Sequence, residues 1–135
     1  MDDKVELKAT GHAKAACEHI YGLNRATIWE RDQTPAEVAD QLADLAALTA
    51  ALPQAFSQLS TLLEQARDHQ VLSMDAARAE SDPAMAIDVA RLHLEEARRY
   101  AVDLHKLLDA AHQATAPIVS GGVDDGHDSM PRDQS

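Results

Sequence analysis

Aromatic side chains are scarce in this sequence. Tyr21, Trp29, Phe56 and Tyr100 are the full complement, 3% of 135 residues. A core with so few rings is built from Leu and Ala, which favour helix over strand. An all-β fold has little to stand on. Cys17 is the only cysteine, which excludes an intramolecular disulfide. With Ala15, Ala16 and Ile20 around it, Cys17 reads as a small buried hydrophobe. Glycine and proline number five each and hardly enter the long periodic stretches. No apolar run is long enough to span a bilayer, because Thr49, Pro53 and Gln54 interrupt the most apolar window, Leu45 to Phe56. The start, Met1-Asp2-Asp3-Lys4, is acidic with no apolar run behind it, so no signal peptide is expected. A cytoplasmic protein follows as the expectation.

Basic residues are also few. Twelve Lys and Arg stand against 23 Asp and Glu, for a net charge of −11. Asp124, Asp125, Asp128 and Asp133 against Arg132 place only a minor part of it in the last residues. An acidic surface is repelled by phosphate backbones and anionic lipid, which argues against nucleic-acid and membrane binding. It suits a basic protein partner.

What the chain does have is two seven-residue apolar ladders. One runs Val38, Leu42, Leu45, Thr49, Leu52, Phe56, Leu59, Leu63, Ala66. The other runs Ile87, Ala90, Leu94, Ala97, Ala101, Leu104, Leu108, Ala111, Thr115. Steps alternating between three and four residues place each set on one stripe of an α-helix. Such a stripe must lie against another helix. Further columns flank them, Leu48, Ala55 and Leu62 beside the first, Tyr100 and Leu107 beside the second. A stripe that wide suits a helix with two neighbours.

The boundaries are marked by caps and prolines. A first helix is predicted over 4–31 on the stripe Ala9, Ala13, Ala16, Ile20 and Leu23, weakened by Gly11 and Gly22. Thr34-Pro35-Ala36-Glu37 reads as a cap, a proline in the first turn and a capping-box Glu. The ladder then runs through Pro53, where a kink or a boundary between helices 34–51 and 53–80 is expected. Ser81-Asp82-Pro83 opens the last helix, which runs to about Ala116, ahead of Pro117 and Gly121-Gly122. The expected architecture is an all-α antiparallel bundle of three long segments, or four helices if Pro53 is a boundary. It would cover residues 1–119, followed by a disordered acidic tail over 120–135. A homodimer completing a larger bundle is expected, since so few segments leave much apolar surface at the rim.

Candidate chemistry is sparse. His105, Asp109 and His112 face the same way on the last helix and are the best candidate metal set. They flank the ladder on its wet side, and solvated His–Asp hydrogen bonds are the plainer reading. No Glu-x-x-His pair of the di-iron bundles occurs. Arg91, Arg98, His105 and His112 form one column beside the ladder. The spacing of Arg98 or Arg99 to His105 resembles the short Arg…His motif of HEPN domains, all-helical dimeric folds with ribonuclease members. That resemblance implies phosphate stabilisation by the Arg and acid–base chemistry by His105. The residue expected to be polar after the Arg is Arg99 in one alignment and Tyr100 in the other. The plainer reading is a basic column pairing with Glu or Asp of a neighbouring helix. No nucleophile elbow, phosphate loop or helix-turn-helix signature occurs, and no cofactor is implied.

Leu52-Pro53-Gln54, Asp82-Pro83 and the closing Leu108-Asp109-Ala110-Ala111-His112 make residues 35–116 similar to uncharacterised small all-helical proteins of actinobacteria. The resemblance implies a cytoplasmic helical bundle and no activity. The expected role is therefore non-enzymatic, acting through self-association and a basic partner, with Tyr21, Ile28 and Trp29 as interface candidates.

Overall fold

Asp82 starts the last helix as its sequence demands. Its side chain accepts a hydrogen bond from the Ala84 N–H at 3.0 Å, with Pro83 in the first turn, where a missing N–H costs nothing. The computed structural model describes residues 6–78 and 81–120, and no strand occurs among them. Three helices follow one another: α1 over Ala9–Trp29, α2 over Pro35–His69 and α3 over Pro83–Thr115, with a short 3-10 turn at Ala76–Arg78 before α3. The chain divides into two compact units, Met1–Thr34 and Pro35–Ser135. The first contains α1. In the second, α2 and α3 pack against each other.

Several boundaries differ from expectation. Helix α1 begins at Ala9 and ends at Trp29, inside the anticipated 4–31, and has no buried residue. Cys17 is exposed rather than buried. The anticipated acidic tail lies, from residue 121 on, outside the described residues.

Pro53 neither breaks nor ends α2, which is one helix from Pro35 to His69. A proline there deprives the Thr49 carbonyl of its N–H partner. Thr49 is nevertheless only 4% exposed, and its hydroxyl donates to the Ala46 carbonyl at 2.9 Å. Pro53 itself is half-buried. Packing against α3 on both sides of this point holds the helix together, as tertiary contact usually outweighs local propensity. Helix α2 stops at His69 instead of running on to Ala79. The chain must reverse within thirteen residues to start α3 at Pro83, and Arg67 places positive charge in the last turn of α2, where the macrodipole favours it.

The pairing of α2 and α3 is read from three contacts. His112 meets Ala39, His105 meets Ala46 and Arg91 meets Ser60. Each step of seven back along α3 matches a step of seven forward along α2, so the two helices run in opposite directions at coiled-coil spacing.

The seam on α2 comprises Ala39, Leu42, Ala46, Thr49, Pro53, Phe56, Ser60, Leu63 and Arg67, all buried or half-buried. On α3 it comprises Ile87, Arg91, Leu94, Arg98, Ala101, His105, Leu108, His112 and Thr115, again buried or half-buried. One column of each anticipated ladder therefore sits squarely in the seam. Ala39 and Ala46 are small enough for α3 to approach the α2 backbone along their column. The other column lies at the seam's edge, where Leu45, Leu52, Ala90, Ala97 and Ala111 are half-buried and Val38, Leu59 and Leu104 are exposed.

Candidate functional site

The seam has two dissimilar edges. The first is polar. His105 Nδ1 donates to the Ala46 carbonyl at 2.8 Å, and His112 Nδ1 donates to the Ala39 carbonyl at 2.9 Å. A carbonyl only accepts, so Nδ1 carries the proton in both rings. Further along, Arg91 Nε donates to Ser60 Oγ at 3.0 Å and its Nη2 lies 3.0 Å from Glu64 Oε2. Arg67 pairs with Asp88 across the same pair of helices. Three members of the basic column thus dock on α2: Arg91 meets a carboxylate, whereas the two histidines meet backbone.

Arg98 is the exception in this column. The register brings it opposite Pro53, and its guanidinium turns to Glu95 on its own helix, Nη2 to Oε1 at 2.7 Å and Nε to Oε2 at 3.0 Å. Arg99 Nε lies 3.8 Å from the same carboxylate. The Arg98 hydrogen bond, with the positive charges of Arg98 and Arg99, holds the Glu95 carboxyl below its ordinary range against the opposing effect of desolvation. Arg98 and Arg99 are thus engaged with Glu95, while His105, about 10 Å further along the helix axis, is engaged with Ala46.

The candidate metal set is engaged in other contacts. His105 and His112 face α2 rather than water, and Asp109 accepts from Gln113 Nε2 at 2.9 Å instead of bonding a histidine. Among the described residues, no group of three or more His, Cys, Asp or Glu is placed to hold a metal ion.

The second edge of the seam is apolar and open. It consists on α2 of Val38, Leu45, Leu52, Leu59 and Ala66 with the next column, Gln41, Leu48, Ala55 and Leu62. On α3 it consists of Ala90, Ala97, Leu104 and Ala111 with Ala86, His93, Tyr100, Leu107 and Ala114. None of these positions carries Asp, Glu, Lys or Arg, in a chain that is 26% charged. Leu59, Leu62, Tyr100 and Leu107 are 48, 56, 66 and 69% exposed. Between Leu52 and Phe56 on one helix and Ala97, Tyr100, Leu104 and Leu107 on the other lies a groove of about 580 Å³, with the charged Asp103 also in its lining. A continuous uncharged face of this length exceeds what scattered surface hydrophobes produce.

The anticipated interface residues lie in the other unit. Tyr21, Ile28 and Trp29 are 62, 57 and 83% exposed on α1, and Tyr21 and Ile28 border a shallow depression with Glu18, Asn24 and Arg25. Sequence reasoning held much of this face as ladder and flanking columns, but not Gln41, Ala86, His93 and Ala114. It missed that α3 would leave Leu59, Leu62, Tyr100 and Leu107 exposed. The signal was the adjacent column Ala39, Ala46, Pro53, Ser60, whose small side chains invite the closer approach.

No helix among the described residues is long and apolar enough to cross a membrane. No protein-family model, curated protein or solved structure matches the chain.

Proposed function

We propose that the protein works by binding other polypeptides rather than by catalysis, and that the uncharged face of the α2–α3 pair is the seat. The observation that carries this reading is the charge-free double column along both helices, exposed at Leu59, Leu62, Tyr100 and Leu107. Apolar area of this kind is stabilised by burial at about 25 cal/mol per Å², so an occupant lowers its free energy. The working unit is a larger antiparallel bundle in which further helices complete the core. In one form the further helices come from a second copy, giving a homodimer; in the other they come from a basic partner. Tyr21, Ile28 and Trp29 add a second exposed patch on α1.

The test is photocrosslinking from the full chain. A photoreactive residue replaces Leu59 or Leu104 on the open face, or Ser57 on the polar edge. Adducts with a second polypeptide, of either kind, are expected from the two face positions and not from position 57. Labelling that is equal at all three, or absent from the face, overturns the reading.

A further inference from the structure

We infer that the occupant of the open face is an amphipathic helix of a separate, basic protein, its apolar stripe flanked by Lys or Arg; this rests on the face being a docking seat. The shape of the seat points to a helix. Ala97 on α3 lines one groove with Leu52 on α2, and Ala90 repeats the small side chain one heptad earlier, so the edge between the helices has the depression a ridge of a third helix fills. The uncharged columns run along about 40 Å of helix.

The charge of the occupant follows from the margins. The outward-facing residues bordering the face include Asp44 on α2 and Glu96 and Asp103 on α3. All three are exposed, and none forms an ion pair within the described residues. No Lys or Arg occupies the corresponding bordering columns, 37, 44, 51, 58, 65 on α2 and 89, 96, 103, 110 on α3. The arginines of this unit that make ion pairs turn to Glu64, Asp88 or Glu95 and away from the face. A seated helix would therefore meet negative charge on both flanks, within a Debye length of its own side chains. A second copy would bring the same acids to the same margins, where like charges repel. A basic-flanked helix meets the opposite sign throughout.

The experiment uses the full chain and two labelled model peptides of about 28 residues. They share one Leu/Ala stripe and differ only in flanking Lys or flanking Glu. Fluorescence anisotropy at about 50 mM salt is expected to show the Lys-flanked peptide binding at least about tenfold tighter. That preference should shrink several-fold at about 500 mM salt. Asp44→Asn with Asp103→Asn should erode the preference, and Leu59→Lys with Leu104→Lys should abolish binding of both peptides. Equal affinity for the two peptides, lost on charging the face, overturns the basic partner and leaves the docking seat standing. So does a chain that is dimeric alone and exchanges its second copy for neither peptide. Binding that survives Leu59→Lys with Leu104→Lys overturns both.

Discussion

His105 reaches across from α3 to the backbone of α2, its Nδ1 2.8 Å from the carbonyl oxygen of Ala46. One heptad on, His112 repeats the contact at Ala39. The Ala46 oxygen also accepts from Thr49 Oγ1 at 2.9 Å, so two side chains from two helices converge on one peptide unit. The pair of contacts sets the spacing and resists a slip in one direction, because a shift of one heptad that placed His105 at Ala39 would carry His112 beyond the start of α2.

Replacing His105 by Ala removes a half-buried donor while leaving the Ala46 carbonyl satisfied by Thr49. The expected loss is about 1 kcal/mol, the net value of an ordinary hydrogen bond. His112→Ala should cost a similar amount. Urea unfolding followed by circular dichroism measures both. Variants indistinguishable from the parent would mean that the seam is held by apolar burial alone.

These contacts also show what could be read in the residues and what could not. The cap at Asp82, the opening at Pro35 and the all-helical class were visible, because each rests on local chemistry. The ladder Leu42, Thr49, Phe56, Leu63 does face α3. Its companion column Val38, Leu45, Leu52, Leu59 lies only at the seam's edge, because periodicity fixes which residues share a side of one helix and not the rotation at which two helices meet. Rotation is set by how closely backbones approach, and here Ala39 and Ala46 decide it. The histidines were assigned to water for the same reason: they lie beside the ladder, and the seam is centred between ladder and histidine column. Of the kink or boundary expected at Pro53, the boundary does not occur, because tertiary packing spans the proline.

Pro53→Ala restores an N–H to the Thr49 carbonyl inside a helix that is already continuous. A proline in a helix interior costs about 3 kcal/mol, part of which the surrounding packing has absorbed. A gain of about 1–2 kcal/mol is expected, seen as a higher Tm, with helix content unchanged. A lower Tm would mean that the ring fills space opposite Arg98 that Ala leaves empty.

The Glu95 carboxyl, held low chiefly by the Arg98 hydrogen bond, gives a pH dependence of known sign. Its folded-state value lies below its unfolded one, so folding favours the ionised form. The stabilisation is complete above the ordinary carboxylate range and is lost as pH falls through the folded value. Glu95→Gln should therefore be less stable than the parent at neutral pH, by a small margin because the pair is solvent-exposed. The two should converge in acid. Parallel stability curves from neutral to acid pH would show that Arg98 adds nothing through Glu95.

Gly22 lies inside α1, and a Cβ built there meets nothing within 4 Å. At Gly11 the same atom would sit 3.3 Å from Leu7 Cδ2, the movable end of a flexible side chain. Gly22→Ala should therefore realise the full helix-propensity gain of about 1 kcal/mol, and Gly11→Ala somewhat less. Hydrogen exchange of the α1 amides measures this directly, with slower exchange in both variants and the larger effect at Gly22. If a partner helix packs closely on α1 at this point, the added methyl would weaken binding even as it stiffens the helix. Gly22→Ala with slower exchange and undiminished assembly would instead show that no partner packs closely on the side of α1 that Gly22 shares with Trp29.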